Sequence, residues 1–164
     1  MFGCDDPPME RLNISDPAFA YDPADPEGFR AGMFRLGTPL GAQDTGASVY
    51  ELPPGQALCP YHFEYGEEEW VMGLQGQASV RTPEGTEPLA PFDVVFFPKG
   101  PAGAHQIRND SDAPVRVLMW STIVFPSATA YPDSDKLGIW TGGDRSGDAM
   151  VRRSSVVGYY DGEV

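Results

Sequence analysis

Turn residues interrupt this chain so often that long helices do not fit between them. The sequence has 19 Gly and 17 Pro among its 164 residues, and the apolar runs between them are short. Proline lacks a backbone N–H and disfavours helix at the residue before it, so this pattern favours short strands joined by turns. No segment longer than about two turns shows helical periodicity. We therefore predict an all-β chain folded as a sandwich or a barrel.

The apolar runs themselves predict a series of short strands. The longest, residues 115–123, reads Val-Arg-Val-Leu-Met-Trp-Ser-Thr-Ile and is predicted to lie in the core. The remaining predicted strands cover residues 30–36, 47–52, 57–64, 69–74, 77–82, 86–89, 94–97, 104–108, 129–131 and 137–141. Closing such strands into a barrel would remove the exposed edges through which sheets aggregate.

The whole chain, residues 1–164, is predicted to form a single domain, because this length is enough to bury one core. Residues 1–28 are rich in Asp and Pro, with Asp-Pro steps that include Asp16-Pro17, Asp22-Pro23 and Asp25-Pro26. They predict an extended arm that packs over the body through Phe19 and Tyr21, with a frayed tail as the open alternative. Residues 126–164 are predicted to form a C-terminal extension.

The charge balance restricts the classes of partner. There are 24 Asp and Glu against 11 Lys and Arg, a formal charge of −13, and such a surface repels nucleic-acid phosphates and anionic lipids. No apolar run approaches the ~18 residues of a membrane helix. Two cysteines, Cys4 and Cys59, make no disulfide framework. We therefore expect no nucleic-acid or membrane partner and a reduced, cytoplasmic setting.

Both histidines of the chain lie among residues that could form a site. His62 and Glu64 are two positions apart in a predicted strand, so their side chains project to the same face. Glu69 begins the next strand after a short turn through Gly66, and a hairpin would bring it beside that pair. His105 is the remaining histidine and could supply a fourth donor. Two imidazoles and two carboxylates suit divalent Mn, Fe, Ni or Zn, whose charge the carboxylates would neutralise.

Each of these residues also has an ordinary structural interpretation. A His-x-Glu pair is common, Glu69 alone suits a solvated turn, and His105 alone suits a core or surface histidine, so the hypothesis depends on their combination. Without a metal, two close carboxylates in an apolar barrel could not both ionise cheaply. One pKa would rise, which would place an acid and a base in one pocket. Glu64, Glu69 and His105 are thus the candidate catalytic residues.

The two stretches resemble the two motifs of the cupin superfamily. His62, Glu69 and Gly76 match the first motif, G-x5-H-x-H-x3,4-E-x6-G. The second motif, G-x5-P-x-G-x2-H-x3-N, is matched by Pro98, Gly100, His105 and Asn109. The resemblance covers roughly residues 45–125 and implies a double-stranded β-helix, the cupin jelly-roll barrel, with its site residues pointing inward near the mouth. It also implies a homodimer, a frequent assembly in that family.

Three positions depart from the cupin pattern. Glu64 stands at the usual second histidine, Phe92 stands at the glycine that opens the second motif, and four residues rather than two separate Gly100 from His105. The last two changes are expected to alter turns and leave the fold intact. The first concerns function, because two histidines with two carboxylates form a harder ligand set that favours Mn, Fe or Ni over soft metals. Glu64 could also turn away and leave three donors.

The resemblance implies a small polar substrate or ligand. We expect His62, Glu64, Glu69 and His105 to hold the metal, and the flanking residues to line the pocket, namely Tyr61, Tyr65, Phe97 and Gln106. One hypothesis is a metal-dependent oxygenase or isomerase, with an open metal position for substrate or dioxygen. The alternative is a non-catalytic module that binds a sugar-like or acidic ligand. A barrel kept only for assembly with a partner is a third possibility.

Overall fold

The computed structural model of the chain describes residues 10–163. These residues form twelve strands, all of them short. In chain order the strands are β1 (Gly32–Arg35), β2 (Thr45–Leu52), β3 (Phe63–Glu64), β4 (Glu69–Gln75), β5 (Ala78–Thr82), β6 (Gly85–Leu89), β7 (Val94–Phe97), β8 (Gln106–Arg108), β9 (Val115–Thr122), β10 (Ser127–Tyr131), β11 (Lys136–Trp140) and β12 (Ala149–Arg152). The helical segments are single 3₁₀ turns at Thr38–Leu40, Pro101–Gly103, Pro132–Ser134 and Arg153–Ser155.

The strands pair into three sheets that together make the jelly-roll barrel. The largest sheet has five strands in the order β1-β2-β9-β4-β7. A second sheet has the order β12-β11-β10-β3, and a third has the order β6-β5-β8. All of the named strand pairs are antiparallel. The predicted all-β barrel is therefore confirmed.

The five-stranded sheet carries the core on its inner face. Along β9, Val115, Val117 and Met119 are buried and alternate with more exposed residues. This period of two is expected for a strand with one face toward a core. Other buried members of the same cluster come from β2, β4, β5, β6, β7 and β8, for example Leu52, Val71, Val80, Leu89, Phe97 and Ile107. Burying one such side chain contributes ~1.5–3 kcal/mol.

Several predicted strand bounds were wrong. The strand predicted at 57–64 is reduced to β3, with isolated bridges at Ala57 and His62. His105 lies just before β8 and also forms an isolated bridge. The sequence reasoning missed β12 in the C-terminal extension, where Ala149–Arg152 pairs with β11. Prolines and bends around the site break the regular pairing, which the apolar pattern does not reveal.

The structure explains how the chain accommodates the two departures from the cupin motif that were expected to alter turns. Phe92, at the motif's glycine position, has a φ of 72° and is 79% exposed. It therefore adopts the left-handed conformation that glycine favours, at a cost of roughly 1–2 kcal/mol. The additional residues between Gly100 and His105 contain the 3₁₀ turn Pro101–Gly103. A Cβ at Gly103 would overlap the carbonyl oxygen of Pro98, so this tight turn requires glycine.

The N-terminal segment packs along the edge of the large sheet. Ala20 pairs with Met33 of β1, and the Tyr21 hydroxyl donates a hydrogen bond to Glu51 Oε1 at 2.8 Å. The Arg116 guanidinium lies 5.1 Å from the ring centroid of Phe19. Both expected anchors of the arm, Phe19 and Tyr21, therefore contact the body of the protein.

The far part of the same outer sheet surface is not covered by any of residues 10–163. We call Trp70, Val94, Phe96 and Trp120 the outer aromatic face. The two tryptophan rings stack with centroids 5.8 Å apart, and Phe96 lies 4.5 Å from Trp70. Trp70, Val94 and Phe96 are 36%, 50% and 40% exposed. This face is apolar although the chain as a whole is strongly acidic.

Because the helical segments in residues 10–163 are single 3₁₀ turns, none of them is long enough to cross a membrane.

Candidate metal centre

A direct backbone pairing brings the two histidines together. The His62 N–H donates to the His105 carbonyl at 3.1 Å, and the His105 N–H donates to the His62 carbonyl at 2.8 Å. Residues that oppose each other in this way direct their side chains to the same face. The two imidazole rings accordingly lie with centroids 4.7 Å apart. The predicted meeting of the two motif histidines is found, although neither residue lies within a named strand.

Backbone carbonyls determine which nitrogen of each histidine faces the cavity. Nδ1 of His62 donates to the Pro60 carbonyl at 2.9 Å, and Nδ1 of His105 donates to the Gly103 carbonyl at 2.9 Å. A carbonyl only accepts hydrogen bonds, so Nδ1 carries the proton in both rings. In a neutral ring this leaves Nε2 with its lone pair free. Histidine ligands of metals are commonly oriented by such an outer hydrogen bond.

Glu69 completes a cluster of three donors. Its Oε2 lies 3.6 Å from Nε2 of His62 and 3.6 Å from Nε2 of His105. The three ligand atoms all lie within 4.8 Å of one another. Two ligands bonded at ~2.1 Å to a tetrahedral metal lie ~3.4 Å apart, so the spacing suits a divalent ion. His105 Nε2 is moreover buried without any hydrogen-bond partner, an unusual state that a metal bond would relieve.

The charges within the cluster are strongly coupled. Burial lowers the pKa of His62, but Cys59 and Glu69 outweigh burial and raise that pKa well above its usual value. Burial and the neighbouring His62 lower the pKa of His105 to about 4. Burial raises the pKa of Glu69, yet the His62 hydrogen bond and the two imidazoles lower it overall. Without a metal, a His62–Glu69 ion pair therefore lies beside a neutral His105.

Glu64 lies at the edge of this cluster rather than within it. Its Oε1 is 3.9 Å from His62 Nε2, and its two oxygens accept the Thr129 hydroxyl at 2.8 and 2.7 Å. Trp140 Nε1 in turn donates to the Thr129 oxygen at 2.6 Å. Burial raises the pKa of Glu64 to about 7, although the Thr129 hydrogen bond opposes the rise. The structure therefore groups three of the four expected donors and holds Glu64 through Thr129.

The prediction that one hairpin carries His62, Glu64 and Glu69 was wrong. Glu64 ends β3, which pairs with β10, whereas Glu69 begins β4, which pairs with β7 and β9. The two strands thus belong to different sheets, and residues 65–68 form the link from one sheet to the other. The candidate metal centre lies between sheets, so side chains from both walls of the barrel face one another.

Aromatic rings and a buried amide support the ligands. The Phe97 ring stacks on His105 with centroids 3.7 Å apart, and the Tyr131 ring stacks on His62 at 6.0 Å. The motif residue Asn109 is fully buried, and its side-chain amide donates to the carbonyls of Leu52 and Ala113 at 2.8 Å each. Asn109 therefore holds a turn of the barrel, whereas Phe97 and Tyr131 restrict the two imidazoles.

A cavity of about 310 Å³ opens beside the donor cluster. It is lined by His62 and Glu69 together with Arg35, Gly46, Ala47, Ser48, Tyr50, Leu58, Cys59, Met119, Trp120 and Ser121. Cys59 Sγ lies 3.5 Å from Nδ1 of His62. A cavity of this size suits a small molecule.

The residues expected to line the pocket lie elsewhere. Tyr61 is buried under the Arg81 guanidinium, 3.9 Å from its ring centroid, and Tyr65 packs edge-on against Phe63. Phe97 lies behind His105, as described. The Gln106 side chain donates to the Cys59 carbonyl at 2.9 Å, which places it behind the cavity wall. None of the four lines the cavity.

The sequence reasoning missed the residues that do line the cavity beside the ligands. Arg35, Ser48 and Tyr50 come from β1 and β2, before the first motif. The available signal was strand alternation, because Ser48, Tyr50 and Leu52 share one face of the strand predicted at residues 47–52. That signal was weak because both faces of these strands contain apolar residues.

Residues 48–121 match a family model described as "Cupin domain". This segment contains every residue of the donor cluster. The chain contains a cupin domain. The match lies within the predicted barrel core of residues 45–125, and the further division into an arm and an extension stays a prediction. No curated protein matches the sequence.

Solved structures share the fold of this chain. A protein of Acidithiobacillus ferrooxidans, provisionally designated a sugar phosphate isomerase, is 26% identical, with a TM-score of 0.73 over 80% of this chain and 81% of its own. A sugar phosphate isomerase of the cupin superfamily from Silicibacter pomeroyi is 24% identical, with a TM-score of 0.78 over 93% and 98% of the two chains. A polyketide cyclase from Streptomyces resistomycificus is 22% identical, with a TM-score of 0.56 over 70% and 79%.

Proposed function

We propose that this protein is a metal-dependent cupin enzyme that isomerises a small polar molecule of the sugar phosphate kind. The observation that carries the proposal is the cluster of His62, Glu69 and His105 beside a cavity, with both Nε2 atoms turned toward Glu69. The similarity to the A. ferrooxidans protein, at 26% identity over most of both chains, supports isomerisation over oxygenation.

His62, Glu69 and His105 would hold the ion, and Glu64 would be a fourth ligand or a proton-holding residue. Nitrogen and oxygen donors of this kind suit Mn, Fe, Ni or Zn. When bound, such an ion supplies Lewis-acid polarisation of a substrate carbonyl. The protein's own part is to hold two imidazoles in a single tautomer and, in the metal-free state, to raise the pKa of Glu64 to about 7 by burial. A group with a pKa near 7 is well suited to proton transfer.

The metal proposal is tested by elemental analysis of untagged protein purified without chelator. We expect near-stoichiometric metal in the parent and its loss in His105→Ala. Glu87→Gln, a change on the exposed strand β6, is the control for altered surface charge and should keep the metal. A parent that stays metal-free after dialysis against Mn, Fe, Ni and Zn would overturn this part of the proposal.

The reaction is tested by proton exchange. Aldose and ketose phosphates are incubated in D₂O with metal-loaded parent and with His105→Ala, and deuterium at the carbon beside the carbonyl is followed by NMR. Isomerisation through proton transfer should incorporate deuterium with the parent alone. A metal-loaded parent that binds members of this panel without exchange or turnover would instead support the non-catalytic binding module.

We propose in addition a cytoplasmic homodimer that buries the outer aromatic face against a second copy. The four side chains of the outer aromatic face are all uncharged. Two chains of charge −13 repel each other over most of their surfaces, and an uncharged apolar face is where they can meet. Light scattering should show a dimer in the parent and a monomer in Trp70→Ser/Phe96→Ser, whereas a monomeric parent would overturn the assembly.

A further inference from the structure

One cation faces the donor cluster across the cavity. Arg35 lines the same cavity of about 310 Å³ as His62 and Glu69, and it is the one Arg or Lys among the lining residues. In a chain of formal charge −13, a positive side chain at this place contrasts with the surrounding surface. The proposed function does not use it.

Strand register places Arg35 on the inner face. Arg35 pairs with Ser48 of β2, Ser48 pairs with Met119 of β9, and Met119 pairs with the fully buried Val71 of β4. Opposed residues of antiparallel strands share a face, so Arg35 points to the side that carries the core and the site. Three strand spacings separate β1 from β4, which corresponds to ~14 Å between their backbones. A small molecule could therefore contact Arg35 and the donor cluster at its two ends.

The guanidinium of Arg35 is available for a ligand. Four of the eight other arginines pair with carboxylates, namely Arg81 with Asp133, Arg108 with Asp110, Arg116 with Glu51 and Arg145 with Asp148. Within residues 10–163, Arg35 has no such partner, and it is exposed to solvent. The hydroxyls of Ser48, Tyr50 and Ser121 line the same cavity and add hydrogen-bonding capacity.

We propose that Arg35 binds the anionic group of the substrate, a phosphate or a carboxylate, while the opposite end of the molecule lies at the metal centre. Guanidinium groups bind both anions through two parallel hydrogen bonds. The role at the metal end depends on the proposed isomerase function, whereas anion binding by Arg35 does not.

The test is calorimetric titration with glycerol 3-phosphate, D-glycerate and neutral glycerol, on both Mn²⁺-loaded and metal-free protein. We expect one anion to bind the parent and glycerol not to bind. Arg35→Gln should weaken that binding at least tenfold, about 1.4 kcal/mol. Arg35→Lys should be intermediate because it keeps the charge and loses the planar pair of donors. Arg152→Gln is the matched control, since Arg152 does not line this cavity, and should change affinity less than twofold.

The outcomes separate this proposal from the proposed function. Loss of anion binding in Arg35→Gln with metal content unchanged supports Arg35, whichever reaction the protein catalyses. If Arg35→Gln also loses anion binding in the metal-free protein, the result supports anion binding by Arg35 even if the metal proposal fails. The preference between phosphate and carboxylate identifies the anion. Unchanged affinity in Arg35→Gln, or the absence of binding of both anions at millimolar concentration, would overturn the proposal.

A distance measurement sharpens the result if glycerol 3-phosphate is the anion that binds. With Mn²⁺ at the metal centre, paramagnetic relaxation of ³¹P reports the separation of the phosphorus from the ion. A phosphate held by Arg35 should lie outside the coordination shell of the ion. Phosphorus bonded through oxygen directly to Mn²⁺ would contradict the assignment of Arg35 as the anion-binding residue.

Discussion

Glu64 and Glu69 are the same residue type five positions apart, yet the barrel places them in opposite environments. Glu69 lies between two imidazoles, 3.6 Å from each, and these lower its pKa despite burial. Glu64 is held by the neutral Thr129 hydroxyl, and burial raises its pKa to about 7. Their side chains are similarly exposed, at 13% and 17%, so burial alone does not separate them.

The comparison shows that neighbouring groups account for the difference in charge between two similarly buried carboxyl groups. Positive partners favour the ionised form, whereas a hydroxyl compensates only part of the desolvation cost. A carboxylate that stays ionised suits a metal, and one that holds a proton near pH 7 suits proton transfer. Two environments within one barrel thus give two candidate roles.

The largest contrast is expected in metal affinity. Glu69→Gln removes the charged donor between the two histidines and should weaken Mn²⁺ or Zn²⁺ binding at least 100-fold, about 2.7 kcal/mol. Glu64→Gln should weaken it less than tenfold, since Glu64 lies outside the group of three donors. Competition with a chromophoric chelator measures both constants. Equal losses of metal affinity in the two variants would show that Glu64 binds the metal as strongly as Glu69 does.

Metal removal should also affect stability in a way that depends on Glu69. A bound ion stabilises the folded state by mass action, so EDTA should lower the melting temperature of metal-loaded parent and of Glu64→Gln. Glu69→Gln should melt at the same temperature with and without EDTA. Differential scanning fluorimetry makes the measurement, and an EDTA effect in Glu69→Gln equal to that of the parent would exclude Glu69 as a required ligand.

The barrel and the meeting of His62 with His105 could be predicted from the sequence, because turn spacing and motif residues are local signals. The separation of Glu64 from Glu69 could not, because it depends on β3 and β4 joining different sheets. Long-range pairing also brings Thr129, from β10, against Glu64. The cavity wall formed by Arg35 depends on register across four strands. Such non-local contacts leave no pattern in the neighbouring sequence.

Glu64 should make stability depend on pH in metal-free protein. Its pKa rises from the ordinary 4.5 to about 7 on folding, so between these values the folded state holds a proton that the unfolded chain has lost. The contribution of Glu64 to the free energy of unfolding is therefore fully present below pH 4.5 and is lost as the pH rises to about 7. Glu64→Gln cannot ionise, so its stability relative to the parent should increase between pH 5 and pH 8 by on the order of 1–3 kcal/mol.

Urea unfolding at pH 5 and pH 8 measures this difference. Glu87→Gln, on the exposed strand β6, is the matched control and should track the parent at both values. A Glu64→Gln variant that also tracks the parent at both pH values would show that Glu64 is ionised throughout and that its environment resembles that of Glu69.

The smallest expected effect comes from the hydroxyl that holds Glu64. Thr129→Val keeps the shape of the side chain but removes the donor to Glu64 and the acceptor of Trp140 Nε1. Because the Thr129 hydrogen bond favours the ionised carboxylate, the pKa of Glu64 should rise further above 7. The free energy of unfolding should fall by about 1 kcal/mol. Thr129→Ser retains the hydroxyl and should restore both the pKa of Glu64 and the free energy of unfolding. ¹³C NMR of the glutamate carboxyls measures the pKa, and urea unfolding measures the free energy. A Glu64 signal that titrates identically in parent and Thr129→Val would mean that burial alone determines its charge, and the contrast with Glu69 would then rest entirely on the two imidazoles.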